Sequence, residues 1–344
     1  MATVKIDEWV ANNGIALDVI SEPEPMVYPY PKTIDDVGIL FSDILFKLPR
    51  RSSNRLYCAH LKDVEVYSTG GIFDGHNKSQ LEGFDGKAIY PYDTIGADVA
   101  IHLASKWGGI NYWHWMAESL ARLSLVKDIP KGVRYIVNST QKRFIKESLA
   151  VMGIDSQDSM ECIELDKSKS VTCKNLILPS KMGDFDKSGL LFLREKIKNR
   201  VVPSKDSPKR IYISRKTTRV VENEAEVMEL LSKYGFVFVR CEELSFEDQV
   251  KTFYNVEVVV APHGAGNTNL LFAKDNAKLL ELRSPNYFGR TYYYLCNHLG
   301  FDYYSLYGKG KIPTTAKESS AFLQSNMNID ISRLKRSLDY MGVK

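Results

Sequence analysis

Long apolar runs are missing from this chain: none approaches the roughly 20 residues that a membrane-spanning helix requires. The opening stretch from Met1 to Val10 also lacks the apolar core of a secretory signal, so the expected compartment is the cytoplasm. Cysteine is scarce. Cys58, Cys162, Cys173, Cys241 and Cys296 are odd in number and show no C-x-x-C spacing, which favours a reducing compartment and argues against a structural zinc site. An excess of charge of one sign is missing too. The 46 basic and 42 acidic residues leave +4, too little for a nucleic-acid-binding surface but compatible with anionic substrates or lipid head groups. Glycine is absent between Arg210 and Arg219, around the first expected strand of the C-terminal half, where a dinucleotide-binding G-x-G-x-x-G would have to lie. That omission counts against a dinucleotide-dependent oxidoreductase. The glycosylation triplets at Asn77 and Asn138 carry no weight without secretion, and no internal repeat or low-complexity tract is evident.

What is present is an ordinary globular composition, 44% hydrophobic and 26% charged, in a chain of 344 residues. That length exceeds what one core usually holds, so two domains are expected. Short β-like segments occur at Val64–Tyr67, Lys87–Tyr90 and Ala97–Leu103, then strand Arg134–Val137, helix Gln141–Met152 and strand Asn175–Leu178. A polar stretch at Val202–Lys209 reads as a linker. Beyond it the pattern restarts with strand Arg210–Ser214, helix Glu224–Tyr234, strand Phe236–Arg240, helix Phe246–Tyr254, strands Val256–Val260 and Lys278–Leu282. Alternation of this kind predicts an α/β fold with parallel sheets and covering helices. The expected division is residues 1–200, 205–312 and a C-terminal helical segment, 313–344, packed back on the body.

The most informative stretch is Val256–Phe272. A strand runs into Ala261-Pro-His263, a Gly264-Ala-Gly266 turn follows, and Asn267 and Thr268 open an apolar segment that reads as a helix. Unpaired N–H groups and the positive end of a helix dipole converge at such a point, and glycine lets an anion approach the backbone. The fitting guest is a nucleotide diphosphate. Two glycines alone could merely make a turn, but His263 adds a ring placed to donate to a phosphate oxygen.

The second informative stretch is Gly108–Leu123. On a helix at 100° per residue, Asn111, His114, Trp115, Glu118 and Arg122 share one side, and Trp113, Met116, Ala117, Leu120 and Leu123 share the other. His114 and Glu118 lie one turn apart, where the carboxylate can orient the imidazole for removing a proton from a sugar hydroxyl. An incidental pair on a solvated face is the plainer alternative, and core packing is the cheaper explanation for Trp113. Asp184-Phe-Asp186 matches the metal-holding D-x-D of some sugar transferases but reads here as a solvated turn in a glycine-flanked loop.

Four motifs occur in one order: N-Y-W-H-W-M-A-E-S-L-A-R-L from Asn111, I-S-R-K-T-T-R from Ile213 with E-N-E after it, E-E-L-S-F-E-D-Q from Glu242, and P-H-G-A-G-N-T-N-L-L-F from Pro262 with L-E-L at Leu280–Leu282. Together they resemble glycosyltransferase family 61. The resemblance implies two Rossmann-like α/β/α domains facing a cleft (GT-B architecture) and an inverting, metal-independent transfer with no cofactor. The donor would be a nucleotide sugar, UDP-linked, carrying xylose or N-acetylglucosamine. The acceptor would be a glycan hydroxyl, lipid-linked or protein-linked, in capsule-like polysaccharide or glycan biosynthesis. A nucleotide-sugar-binding protein without catalysis is the alternative, although both His114 and Glu118 are present. By the same resemblance His114 is the base with Glu118 as partner, or Glu118 is itself the base. Asn111, Trp115 and Arg122 would meet the acceptor. Ser214, Arg215, Arg219, Glu243, Ser245, His263, Gly264, Ala265, Gly266, Asn267, Thr268 and Asn269 would enclose the donor. Arg215 could instead form a structural ion pair, and the Glu243 segment could serve only to cap a helix at Ser245. Ala121 and Asn267 depart from the family's usual proline and aliphatic residue. The basic cluster Lys47, Arg50, Arg51 and Arg55, or the amphipathic helix from Ile329 to Met341, offers a peripheral membrane contact, with a solvated loop and a helix packed on the body as the plainer readings.

Overall fold

The computed structural model of the chain describes residues 3–29, 31–34, 51–67, 70–74, 80–82, 93–139, 141–154, 161–165, 168–184, 186–204, 206–284, 289–309 and 325–344. The expected strand at Lys87–Tyr90, the sequon at Asn77, and Lys47 and Arg50 of the basic cluster lie outside them. The fold is α/β. Two compact units divide the chain, Met1–Pro25 with Ser52–Arg200, and Met26–Arg51 with Val201–Lys344.

Among the described residues the first unit is built on a nine-stranded mixed sheet. Its parallel part sets Cys162–Leu165, Arg134–Asn138, Asp93–His102 and Lys169–Pro179 side by side, and Leu56–Tyr67 then pairs antiparallel with the last of these. The long strand Leu56–Tyr67 buries Ala59, Leu61, Val64 and Val66 while His60, Lys62 and Asp63 stay exposed, the pattern of a strand wet on one face. Its inward residues meet Ala100, Ile136, Val171 and Leu176 in one core.

The second unit has a six-stranded, wholly parallel sheet in the order Val237–Val239, Arg210–Ile213, Val258–Pro262, Lys278–Arg283, Asp302–Tyr307, Lys32–Thr33. Val258–Pro262 is buried at every residue, as expected of a central parallel strand covered on both faces. Numbered along the chain from Arg210, the first five strands run 2-1-3-4-5, so strand order reverses between Arg210–Ile213 and Val258–Pro262. Ligands of open parallel sheets settle beyond the carboxyl ends of the strands at such a reversal. Residues 26–51 belong to this unit, whereas the sequence division placed them in the first. A two-residue strand carries no periodicity by which to recognise it.

The C-terminal helix Ile331–Tyr340 is capped by Asp330, whose carboxylate accepts from Ser332 N and Arg333 N. Its residues Leu334 and Leu338, together with Met341, are buried in the same core as Val258, Val260, Leu280 and Leu282. The apolar stripe of this helix is thus covered by the sheet. Arg55 of the basic cluster is engaged by Asp7 and Glu22. Among the described residues no helix is long and apolar enough to cross a membrane.

Candidate active site

In the first unit the stretch after Gly108 is not one regular helix. Tyr112–His114 is α-helical, Trp115–Ser119 forms a π-helical turn, and Leu120–Leu125 tightens to 3-10 geometry. Asn111 caps it, its side-chain oxygen accepting from Trp113 N at 2.9 Å and His114 N at 3.5 Å. A π turn widens the helix and moves later residues off the positions a 3.6-residue wheel assigns. The expected faces therefore fail in part. Trp115 is wholly buried and donates its indole N–H to Ser148 Oγ at 2.8 Å. Arg122 is buried too, donating to the carbonyls of Ala104, Pro179 and Ser180 and to His102 Nδ1. Neither enclosed side chain is in a position to meet an acceptor, which corrects the expectation placed on both.

His114 and Glu118 do come together. Nδ1 lies 2.6 Å from Glu118 Oε1, and the two side chains are 32% and 28% exposed. A carboxylate can only accept, so Nδ1 carries the hydrogen, and in the neutral ring Nε2 presents its lone pair. Trp107, which the motif reading left out, is 46% exposed with its ring 6.4 Å from the His114 ring and the Lys106 ammonium 5.4 Å from its centre. Its sequence signal was an aromatic beside a Gly-Gly turn. The turn itself is fixed by packing: a Cβ on Gly108 would lie 2.6–2.7 Å from Ser119 Oγ, Asn138 Oδ1 and Ser105 Oγ. Those groups bond one another, with Ser105 Oγ 2.8 Å from Ser119 Oγ and Asn138 bridging both backbone groups of Ser105.

The D-x-D pair is not a solvated turn. Asp184 accepts from Trp113 Nε1 at 2.9 Å, and buried Asp186 accepts from Asn54 Nδ2, Asn54 N and Gly183 N. Burial raises the Asp186 carboxyl above its ordinary range against the pull of those donors. Both carboxylates are engaged in holding the fold of the first unit.

In the second unit the reversal point gathers most of the expected donor residues. Ser214 and Arg215 follow the strand Arg210–Ile213, and His263 and Gly264 follow Val258–Pro262. Arg215 donates through Nε to Thr218 O at 2.8 Å and through Nη2 to Thr218 Oγ1 at 3.1 Å, which folds its guanidinium back against Gly264. A Cβ at Gly264 would overlap that guanidinium. Because the Gly264 backbone is extended (φ 175), glycine is needed here for space and not for conformation. Gly266 differs: its Cβ would point toward Cys241 Sγ and Ile213 Cγ2, both at 3.3 Å, so crowding there strains the core and not a ligand. Arg219 holds left-handed backbone, φ 55, uncommon for so long a side chain, and its charge acts on His263.

The segment after the turn, Ala265–Phe272, is a 3-10 helix and not the α-helix the sequence suggested. Its polar residues bond locally, Asn267 Nδ2 to Pro262 O at 3.2 Å, which competes with regular helix. The first bond of its ladder runs from Asn267 N to Gly264 O, so the amides of Ala265 and Gly266 precede it. Ser214 Oγ, Asn267 Oδ1 and Thr268 Oγ1 are buried with no hydrogen-bond partner among the described residues. Buried polar atoms in that condition are rare, and three of them around one strand reversal suit a polar ligand. Asn269 instead bonds Gln249 Oε1 at 2.7 Å and ties two helices together. Ser245 caps the helix Phe246–Phe253 by accepting from Asp248 N, and Glu243 pairs with Lys216 and Arg240 at the surface. The capping alternative thus holds for Ser245.

His263 has a partner that the sequence did not single out. Its Nδ1 lies 2.6 Å from Glu281 Oε1, with the two side chains 7% and 0% exposed. Glu281 Oε2 accepts from Arg283 Nη1 at 2.9 Å and from the Tyr303 hydroxyl. Desolvation drives the imidazole down to about 4 despite the carboxylate beside it, and the Arg283 and Arg219 charges push the same way. Burial opposes ionisation of Glu281 as well, but Arg283, His263 and Tyr303 outweigh it and hold the carboxyl well below its usual range. The signal was present: a glutamate and an arginine in the otherwise apolar Leu279–Arg283 run of a central strand must be paired.

With this geometry in place, residues 112–280 match the family model Glycosyltransferase 61. The chain carries a glycosyltransferase family 61 domain. The matched segment holds His114, Glu118, Ser214, Arg215, Arg219 and His263, and it stops one residue short of Glu281. No curated protein matches the chain. As a glycosyltransferase it uses a sugar donor and a glycan acceptor.

Proposed function

We propose that this glycosyltransferase moves xylose or N-acetylglucosamine from a UDP-linked donor to a hydroxyl of a lipid-linked or protein-linked glycan, with inversion and without a metal. The observation that supports it most is the convergence at the strand reversal of Arg215, Arg219, the amides of Ala265 and Gly266 and the unpartnered Ser214 and Thr268 hydroxyls, while the unpartnered Asn267 Oδ1 can only accept and suits a hydroxyl of the donor. The arginines, amides and hydroxyls are a set of donors and cations suited to a diphosphate, which leaves with two or more negative charges. In the reaction His114 Nε2 takes the acceptor proton while Nδ1–H stays on Glu118. The acceptor oxygen bonds to the anomeric carbon, the bond from that carbon to the phosphate oxygen breaks, and the arginines compensate the departing diphosphate. Glu118 acting directly is the alternative, and a pH–rate profile compared across His114→Gln and Glu118→Gln separates the two. The GT-B arrangement is carried by the family resemblance and a cytoplasmic location by the scattered, unpaired cysteines; the apolar stripe of Ile331–Tyr340, being covered, is not the source of a membrane contact. Trp107, exposed beside His114, takes the acceptor-facing role in place of Trp115.

The deciding experiment is a donor screen by thermal shift and turnover with UDP, GDP and CMP sugars in the presence of excess chelator. Turnover with a UDP sugar under chelation is expected. Abolition by chelator with restoration by magnesium or manganese overturns the metal-free reading.

A further inference from the structure

We infer that Asn267 is a specificity-determining residue of the donor site, its side-chain oxygen accepting a hydrogen bond from a hydroxyl that flanks the donor diphosphate. The inference rests on the donor site proposed above and deepens it. Asn267 is 1% exposed and is fastened through both of its nitrogens, N donating to Gly264 O at 2.9 Å and Nδ2 to Pro262 O at 3.2 Å. A carbonyl can only accept, so the side-chain amide cannot be turned over, and the atom left without a partner among the described residues is Oδ1. The buried hydroxyls of Ser214 and Thr268 are unpartnered themselves, so neither of them serves it. A buried acceptor without a donor is costly, and one held this firmly calls for an explanation. Its surroundings supply one. The Gly264–Gly266 turn packs along Ile213–Arg215: a Cβ at Gly264 would overlap the Arg215 guanidinium, and one at Gly266 would lie 3.3 Å from Ile213 Cγ2. The amides of Ala265 and Gly266, which precede the first bond of the 3-10 helix, adjoin Asn267 directly. A diphosphate held by these amides and by Arg215 brings to this point the groups attached at its two ends, the ribose and the transferred sugar. Both carry hydroxyls. An ionised phosphate oxygen has no proton to give and is repelled by Oδ1, whereas a hydroxyl donates to it, so Asn267 fixes which part of the donor lies beside it. A donor lacking that hydroxyl leaves Oδ1 buried and unpaired, which is how a binding site rejects an analogue most strongly.

The test is titration calorimetry of UDP, 2′-deoxy-UDP, 3′-deoxy-UDP, UDP-xylose and UDP-N-acetylglucosamine, without acceptor, on wild type and on Asn267→Leu, which keeps the size of the side chain and removes the oxygen. The expected result is a loss of about tenfold to a hundredfold in the variant, the scale of a hydrogen bond lost in a buried site, confined to ligands that carry the hydroxyl. If the hydroxyl is on the ribose, wild type discriminates against one deoxy nucleotide, and the variant binds that nucleotide and UDP alike. If it is on the transferred sugar, UDP binds wild type and variant equally, and a UDP sugar loses affinity in the variant. Equal affinity of wild type and variant for every ligand overturns the inference. An equal loss for every ligand overturns it too, by leaving Asn267 only a structural part in the turn. Should Asn267→Leu not fold, wild type carries the test: both deoxy nucleotides binding as tightly as UDP, with UDP sugars no tighter than UDP, overturns the inference. Failure of folded wild type to bind any of these ligands overturns the donor-site reading, and the inference with it.

Discussion

Two histidine–glutamate pairs share the same Nδ1–Oε1 separation of 2.6 Å, yet they occupy opposite environments. His114 and Glu118 sit four residues apart on one irregular helix and remain about a third exposed. His263 and Glu281 come from adjacent parallel strands and are buried, with Arg283 and Tyr303 locking the carboxylate. The comparison teaches that the pair by itself does not define a role. On the proposed reading, the exposed pair is the one whose carboxylate supports proton removal from an acceptor hydroxyl. The buried pair, with its ring held neutral and its carboxylate engaged by arginine, belongs on that reading to the donor side.

The comparison breaks most sharply if the two pairs fail to separate turnover from binding. His114→Ala and Glu118→Ala should each lower kcat by about 10²–10⁴ with nucleotide affinity near wild type, since general-base assistance is worth about that much; steady-state kinetics beside calorimetry reads both. Glu281→Ala should act instead on the fold, because it leaves the buried Arg283 charge uncompensated, a loss of about 3–5 kcal/mol. Denaturant unfolding of the second unit's signal checks it, and a variant as stable as wild type would mean that the network contributes little.

Arg215→Ala should weaken nucleotide binding by about 1.5–3 kcal/mol, the range for a charge-assisted hydrogen bond. Gly264→Ala should reproduce that loss, since its methyl group displaces the guanidinium. Gly266→Ala, with its Cβ only tightly packed against Cys241 and Ile213, should bind nearly normally. If Gly264→Ala also binds normally, the close approach of Arg215 has no bearing on the donor.

A smaller effect is expected from pH. His263 is held neutral down to about 4 in the fold, while an unfolded histidine titrates near 6.5. Between those values the unfolded chain binds more protons, so stability should fall as pH drops from about 6.5 toward 4. The depressed Glu281 carboxyl adds a loss in the same direction at lower pH. Replacing His263 by Gln should flatten the upper part of that slope in a series of unfolding curves, and an unchanged slope would assign it to other groups. The mildest change is expected at Trp107. Trp107→Ala should raise the acceptor KM and leave donor affinity alone, while an unaltered KM would remove this ring from the acceptor surface.

The elements of the second unit, and the His114–Glu118 pair of the first, were largely legible because their signals are local. A run of valines marks a covered strand, Ser245 three residues before Asp248 marks a helix start, and an i,i+4 spacing brings His114 to Glu118 whether the turn is α or slightly wider. The errors came where a regular period was assumed. The wheel drawn through Trp115 and Arg122 presumed 3.6 residues per turn, and the π turn at Trp115–Ser119 put both inside. Asp186 looked solvated because a glycine-flanked acid usually is, and only its contact with Asn54, 132 residues away, explains its burial.

By itself the sequence determined the alternation of strands and helices, the glycine turn after Val258–Pro262, the family motifs and the His114–Glu118 pair, all set by chemistry within a few residues. Tertiary structure decided what each polar residue is for. Glu281 stands 18 residues from His263 and meets it only because strands Val258–Pro262 and Lys278–Arg283 align in parallel with Ala261 opposite Glu281. Such register follows from how whole strands bury their side chains against helices on both faces, and no local spacing encodes it.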